Sequence, residues 1–493
     1  MKTPKQLRII SAAIMICFTT LPGFSQSWHA LGGSYLLGSQ HIINGTTENF
    51  GIRPLVIAPD GTPYLAFHPN PLGHRKATVI RFNGSSWDTV GIPEFSESVA
   101  DYISMAIDRN NTPYVVFQDG AYSYEPTVMK FTAGSWQLVG NPGFAPDAPH
   151  FNQAVDYSDI AIDKNGTPYI GYANAFNGNK AVVMKYDGNN WVAVGGSSVS
   201  DGAAYYLSLA IDSMGAPYIA YQDRAHDEKA SVMKYDGSSW VSVDSIGFSS
   251  DSVRYTSIAF DKNDIPYLAY SDGNDSNKAT VVKYNGTDWV TVGNAGLSAG
   301  ETQYEHIAID KNGIPYVVYW DLGVPYYAIK AEKYNGTEWV NVGNGIVSGG
   351  AAPDPVNQGG SYPSIAIDNE GTPYIAYFVP LPVNILWGGK VKRYGLPGTG
   401  ISTTNTSPLH HLSISPNPNN GNFTIEGLLP SNIRDIDLRV IDVSGKIIWE
   451  ENIEAKKGKV NIPINLNQGI ACGIYFIKLH SGTYNESLPI VKQ

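Results

Sequence analysis

From residue 51 to 395 the chain alternates short apolar runs with polar turns, and one cycle of runs returns seven times. The cycle reads S-I-A-I-D, then P-Y-I-A-Y, then K-A-x-V-M-K-Y, then S-W-V-x-V-G. Each run is rich in β-branched and aromatic residues, and Asn-Gly or Asp-Gly turns bound it, which predicts four short strands per unit. None of the runs keeps a helical period long enough to form a helix. The proline that opens the second run marks the units: Pro63, Pro113, Pro168, Pro217, Pro266, Pro315 and Pro373, spaced 50, 55, 49, 49, 49 and 58 residues apart.

A period near 50 with four strands per unit predicts a β-propeller of seven blades. The tryptophans predict how the ring closes. Trp87, Trp136, Trp191, Trp240, Trp289 and Trp339 each fall 23 or 24 residues after their proline, but the seventh unit ends at Tyr394-Gly395 with no such strand behind it. The missing piece stands at 27–32 as Ser-Trp-His-Ala-Leu-Gly. The strand around Trp28 therefore completes the last blade and leaves no open sheet edge at the junction. The architecture resembles seven-bladed propeller families with the closing strand of WD-repeat proteins. The G-S-S-W-V-x-V-G unit is similar to tachylectin-like and tectonin-like repeats.

Ahead of the repeats, Lys2, Lys5 and Arg8 precede an apolar stretch from Ile9 to Leu21 that is too short to span a bilayer. Residues 1–26 are expected to be a signal peptide, and the residues around Cys17 fit a lipid-attachment box poorly. Removing them takes away three basic and no acidic residues, so the formal net charge moves from −11 to −14. Such an acidic body disfavours nucleic acid and direct binding to anionic lipid. A mature chain with Cys472 as its one cysteine draws its stability from packing rather than from a disulfide.

Residues 396–411 are rich in Gly, Ser, Thr and Asn and read as a linker. Beyond them, Ser415-Pro416-Asn417-Pro418, Asp442-Val443-Ser444-Gly445 and Gly473-Ile474-Tyr475 punctuate alternating apolar strands, which predicts a small β-sandwich over 412–493. These motifs, in this order, closely resemble the type A sorting domain of type IX secretion cargo in Bacteroidota. The resemblance implies handling by the type IX machinery, passage through the outer membrane and display at the cell surface. The whole chain is thus expected to be all-β, with the propeller over 27–395.

Turns between the first and second runs, and between the third and fourth, barely change between units; the other two sets of loops vary widely. The variable loops share one face, called the top here, and that face is expected to carry function. Two tryptophans there leave the repeat register, Trp320 and Trp387, with Tyr326, Tyr327 and Phe378 nearby; the column of Trp320 holds His68 in blade one. All six are expected in or beside the loops that join the second and third strands, as a ligand-binding set whose rings suit a sugar face or a protein partner. The repeated Asp, Lys and Trp at the bottom read as a network that staples blades. The tyrosine before each first strand (Tyr102, Tyr157, Tyr206, Tyr255, Tyr304, Tyr362) reads as inter-blade packing or as a ring of stacking platforms.

Catalytic signals are sparse. Gly296 to Gly300 matches G-x-S-x-G, but that elbow needs a strand–turn–helix of an α/β fold. The run Asp272 to Asn277 is oxygen-rich like a calcium loop, yet it lacks the glycine and distal glutamate of an EF-hand. No cofactor is implied. Histidines 68, 74 and 226 with Arg75 offer an alternative reading, a polysaccharide lyase or glycoside hydrolase on the top face. A carbohydrate- or matrix-binding surface is the first expectation.

Overall fold

The computed structural model describes residues 27–31, 54–68, 75–145, 155–324, 328–348, 361–380 and 387–395, then most of 412–492. Among them, seven four-stranded antiparallel sheets follow one another along the chain. Their innermost strands are Leu55–Ile57, Ala100–Ile107, Val155–Ile162, Ala204–Ile211, Val253–Phe260, Thr302–Ile309 and Ser361–Ile367. All seven border a single channel of about 480 Å³, so the sheets surround a common axis as propeller blades. At its narrow apolar belt each blade presents the small residue of its first run, from Val56 and Ala106 round to Ala366. The expected signal peptide and linker lie outside the described residues.

The seventh blade is a composite. Ser27–Ala30 lies antiparallel to Trp387–Gly395, with Trp28 opposite Tyr394 and His29 opposite Arg393. Without it Trp387–Gly395 would be a bare edge with unpaired backbone groups.

Tryptophan joins each blade to the one before. The indole N–H of Trp136 donates to Val90 O at 2.8 Å, Trp191 to Val139 O at 2.7 Å and Trp240 to Val194 O at 2.7 Å. Trp289 reaches Val243 O at 2.9 Å, Trp339 reaches Val292 O at 2.7 Å and Trp87 reaches Leu31 O at 3.1 Å. Trp28 completes the circuit by donating to Val342 O at 3.0 Å. Every acceptor lies in the outermost strand of the preceding blade or one residue past its end. This explains the glycine of V-x-V-G. Gly195 sits at φ +72°, and a Cβ there would stand 2.7 Å from Trp240 and 2.8 Å from Tyr235. Both the backbone angle and the incoming indole exclude a larger residue.

The repeated aspartates act locally rather than between blades, which corrects one expectation. Asp163 Oδ1 accepts the backbone N–H of Asn165 and Thr167, both at 2.8 Å, and Asp212 and Asp310 cap their own turns alike. The basic residue ending the third strand lies over a tyrosine of its own blade, as Lys234 does over Tyr218 at 5.0 Å. Of the three repeated residue types, tryptophan is the one that crosses the junction.

In the C-terminal module a three-stranded sheet (Leu412–Ser415, Asn422–Leu428, Lys459–Asn465) faces a four-stranded one built on Asp435–Asp442 and Gly473–Ser481. Phe423, Ile425 and Ile464 from the first meet Leu438, Val440 and Ile477 from the second in one buried cluster. The alternation of buried and exposed residues along Asp435–Asp442 is the sandwich pattern that the sequence predicts.

Trp240→Phe keeps most of the packing but strands the Val194 carbonyl at a buried junction. It should lower stability by about 1–3 kcal/mol in urea unfolding. Gly195→Ala should cost at least as much, because the new methyl also displaces the indole. Unchanged midpoints for both variants would show that this bond does not hold the ring.

Candidate functional site

At the top of the channel the innermost strands bulge. The register slips between Asp101 and Ser104, Tyr205 and Ser208, Arg254 and Ser257, and Gln303 and His306, and the repeated tyrosine stands in each slip. Tyr102, Tyr206, Tyr255, Tyr304 and Tyr362 take φ of 49°, 50°, 53°, 58° and 53°. The left-handed region costs such a bulky residue about 1–3 kcal/mol and persists only where its surroundings impose it. The rings converge. Tyr206 lies 4.6 Å from Tyr255, Tyr255 4.7 Å from Tyr304, and Tyr304 4.2 Å from Tyr362, centroid to centroid. All four are half-buried, so they pack between blades and also face the channel mouth.

A hydrogen-bonded belt below the bulges fixes the collar. Ser104 Oγ donates to Asp159 Oδ1 at 3.0 Å, and Asp159 Oδ2 accepts Leu209 N–H from the next blade at 2.9 Å. Ser208 and Ser257 accept Ile258 N–H and Ile307 N–H in turn, at 3.3 and 3.2 Å. In blade six a histidine takes the serine's place: His306 Nδ1 accepts Ile365 N–H at 2.9 Å. A backbone N–H only donates, so Nδ1 keeps its lone pair and any proton of a neutral ring sits on Nε2.

Blade six departs from the frame most. Trp320 stacks on Tyr304 with 6.4 Å between centroids and 23° between planes, extending the collar outward. Beside Tyr304, Glu305 occupies the column where Ser158 donates to Tyr102 O at 2.9 Å and Thr256 donates to Tyr206 O. Thr302 donates to Glu305 Oε1, and Oε2 is buried without a partner in the structure. Burial pushes the Glu305 carboxyl up to about 8. At neutral pH it therefore carries an O–H, as Ser158 and Thr256 do. The columns of the repeat carry a signal for this pair, since Glu305 is the one acid in a column of Ile, Ser, Leu, Thr and Pro and His306 stands in a column mostly of serine.

The predicted ligand set divides. Trp320 is half-buried and reaches the collar, but it lies inside the strand Pro315–Asp321 rather than in a loop, paired with Gln303 and Ile329. Phe378 is 2% exposed, in the core between blades seven and one, so it offers no face to a ligand. His68 is 3% exposed, and burial, reinforced by the charge of Arg75, lowers it to about 4. Phe378 fills the inter-blade space, and His68 is enclosed below the surface. Trp387 opens the strand Trp387–Gly395, and its side chain lies outside the described residues, as do Tyr326, Tyr327 and His74.

His226 is 39% exposed, with Nδ1 3.0 Å from Asp223 Oδ2. That carboxylate also accepts from Ser231 at 2.9 Å. Ser298 of the G-x-S-x-G match is a loop brace: its hydroxyl accepts Ala279 N–H at 3.1 Å and donates to Gly300 O at 2.7 Å, as Ser200 and Ser249 do in their blades. The oxygen-rich run at 272–277 is a turn of 3-10 helix capped by Asp272, matched in blades two, three and four.

Fold and motifs together define an exported β-propeller with a C-terminal sorting module. Residues 413–493 match the family described as a secretion system C-terminal sorting domain. The chain is a secreted protein of the type IX system, extracellular or anchored at the outer-membrane surface. No described helix is long and apolar enough to cross a membrane. No curated protein matches the sequence. Among solved structures the chain is similar to PorZ of Porphyromonas gingivalis, described as an essential bacterial surface component of the type-IX secretion system. The identity is 13%, the TM-score 0.42, and the match covers 92% of this chain and 60% of that one. It is similar also to the Aleuria aurantia lectin (13%, TM-score 0.38, 61% and 97% covered) and to an ulvan lyase (14%, TM-score 0.38, 65% and 88% covered). Likenesses of this depth transfer no ligand or activity.

Glu305 gives a pH prediction. Its carboxyl is raised on folding, so its contribution is complete below about 4.5 and is lost as pH rises through about 8. Glu305→Gln should gain on the wild type across that window, by up to about 1.4 kcal/mol per pH unit. A difference that stays constant between pH 5 and 8 would place an ionised carboxylate there.

Proposed function

We propose that this is a cell-surface binding protein that holds carbohydrate at the top mouth of the propeller. One observation carries the reading: Trp320, a residue outside the repeat, is stacked on Tyr304 within a collar of half-buried tyrosines. Such rings offer apolar faces to a pyranose, while the tyrosine hydroxyls serve its polar edge. The frame holds them by the belt below and the bulge at each strand, so the surface is set before any ligand arrives, which lowers the entropic cost of binding. Binding asks only for a shaped surface, and no convergent acid–base pair among the described residues calls for chemistry beyond it.

Trp320→Ala should weaken binding on a glycan array by about 1–3 kcal/mol, on the scale of base–aromatic stacking. Trp320→Phe, which keeps a ring against Tyr304, should recover most of the loss. Equal binding by wild type and Trp320→Ala would remove the collar from the site. The sorting module acts separately: we propose that it is cleaved on export. A chain lacking 413–493 should stay inside the outer membrane, and surface protease protection reports that directly.

A further inference from the structure

The residue just before each repeated tyrosine forms a second column: Asp101, Asp156, Tyr205, Arg254, Gln303 and Ser361. The frame does not dictate this column, since it holds five residue types in six blades while the tyrosine beside it repeats. Its charge is polarised. On one side Asp101 is 3.1 Å from Arg75 and is thereby neutralised. Toward the other side stands Arg254, exposed, with no carboxylate at ion-pair distance among the described residues. Arg254 adjoins Tyr255 in sequence and is one blade away from Gln303, which pairs in register with Trp320.

Blade four adds a second guanidinium. Arg224 lies over the Tyr205 ring at 5.0 Å, and Asn179 of blade three donates to the Tyr205 hydroxyl at 3.2 Å. Arg224 brings its own counter-ion, Glu228 at 2.8 Å, and Asp223 is taken up by His226 and Ser231. Of these two arginines, Arg254 is the one without a counter-ion among the described residues. Arg224 lies over Tyr205, next to Tyr206 in sequence, and Arg254 adjoins Tyr255, so both stand beside the collar. In a chain of formal net charge −11, a free guanidinium among sugar-sized aromatic rings has one evident use. An anionic group on the ligand would find there a positive charge that the acidic body otherwise opposes.

Resting on the glycan reading above, we infer that the mouth takes an anionic saccharide, its carboxylate or sulfate held by Arg254 with Arg224 beside it and its apolar face on Tyr255, Tyr304 and Trp320. The test uses the full mature chain and three oligosaccharide sets of matched length: neutral, uronate-containing and sulfated. Both acidic sets, or one of them, should bind about tenfold or more tighter than the neutral set, and the preference should shrink as NaCl rises. Which acidic set leads distinguishes a carboxylate from a sulfate. Arg254→Gln should bring acidic and neutral sets within about twofold of each other, while Trp320→Ala weakens all sets alike. Neutral sugars binding as tightly as acidic ones, or a preference that survives Arg254→Gln, would overturn the anionic assignment and leave the glycan site standing. No binding by any set would overturn both.

Discussion

A backbone carbonyl at a blade junction cannot reach water and must have a donor. In this ring the tryptophan indole supplies it at every junction, from Trp87 round to Trp28. The same side chain fills the space beside it: Trp136 stacks on Phe95 at 4.2 Å and Trp191 on Phe144 at 4.5 Å, so donor and packing cannot be separated. Much of the repeat follows from this contact. The glycine after V-x-V yields room for the next indole, the aromatic ending the third strand tilts against it, and the spacing from proline to tryptophan is held at 23 or 24 residues. An acceptor left alone would cost about 1–3 kcal/mol, which is large against the stability of a whole domain.

Near the axis a second circumferential system works by other means. Asp159, Ser208, Ser257 and His306 tie the bulges of blades three to six to the backbone of the next blade, so the strained tyrosines above are fixed from below. Outer and inner ties together leave the top-face residues free of structural duty. That separation is what lets one column run from aspartate through tyrosine and arginine to glutamine without disturbing the blades. Function at the mouth can change residue by residue while the frame repeats.

How legible this was depends on distance along the chain. Strand order and the role of Trp28 showed in the sequence because periodicity is local, and a missing unit at one end and a spare at the other are visible at sight. The burial of Phe378 was not, because its neighbours include residues of blade one, far away in sequence. Trp320 seemed to be a loop residue because the recurring motif stops at Tyr319. In the fold the second strand runs on to Asp321, since its last residues pair on both sides. The aspartates ending the first strand look like a network in sequence, yet an Asx-type turn satisfies them within four residues. Glu305 and His306 were hidden for the opposite reason: they are single-blade departures inside a motif defined by its constants.

Closure raises an energetic question that magnitudes can decide. The seam joins residues 366 apart, as in His29 to Gly395, whereas Trp136 and Val90 at an internal junction are 46 apart. Loop-closure entropy grows by only about 0.6 kcal/mol per doubling of length, so three doublings set the seam at a disadvantage of roughly 2 kcal/mol. Against that stand a four-residue strand pairing, the Trp28 indole bond and the packing of Trp28 and Tyr394 into the cluster between blades six and seven. One well-made hydrogen bond to a buried carbonyl already offsets much of the deficit. The seam is thus slow to find rather than weak once formed, because contacts so distant in sequence retard folding far more than they lower stability. For an exported chain expected to lack a disulfide, that balance favours a ring whose first strand is seated last.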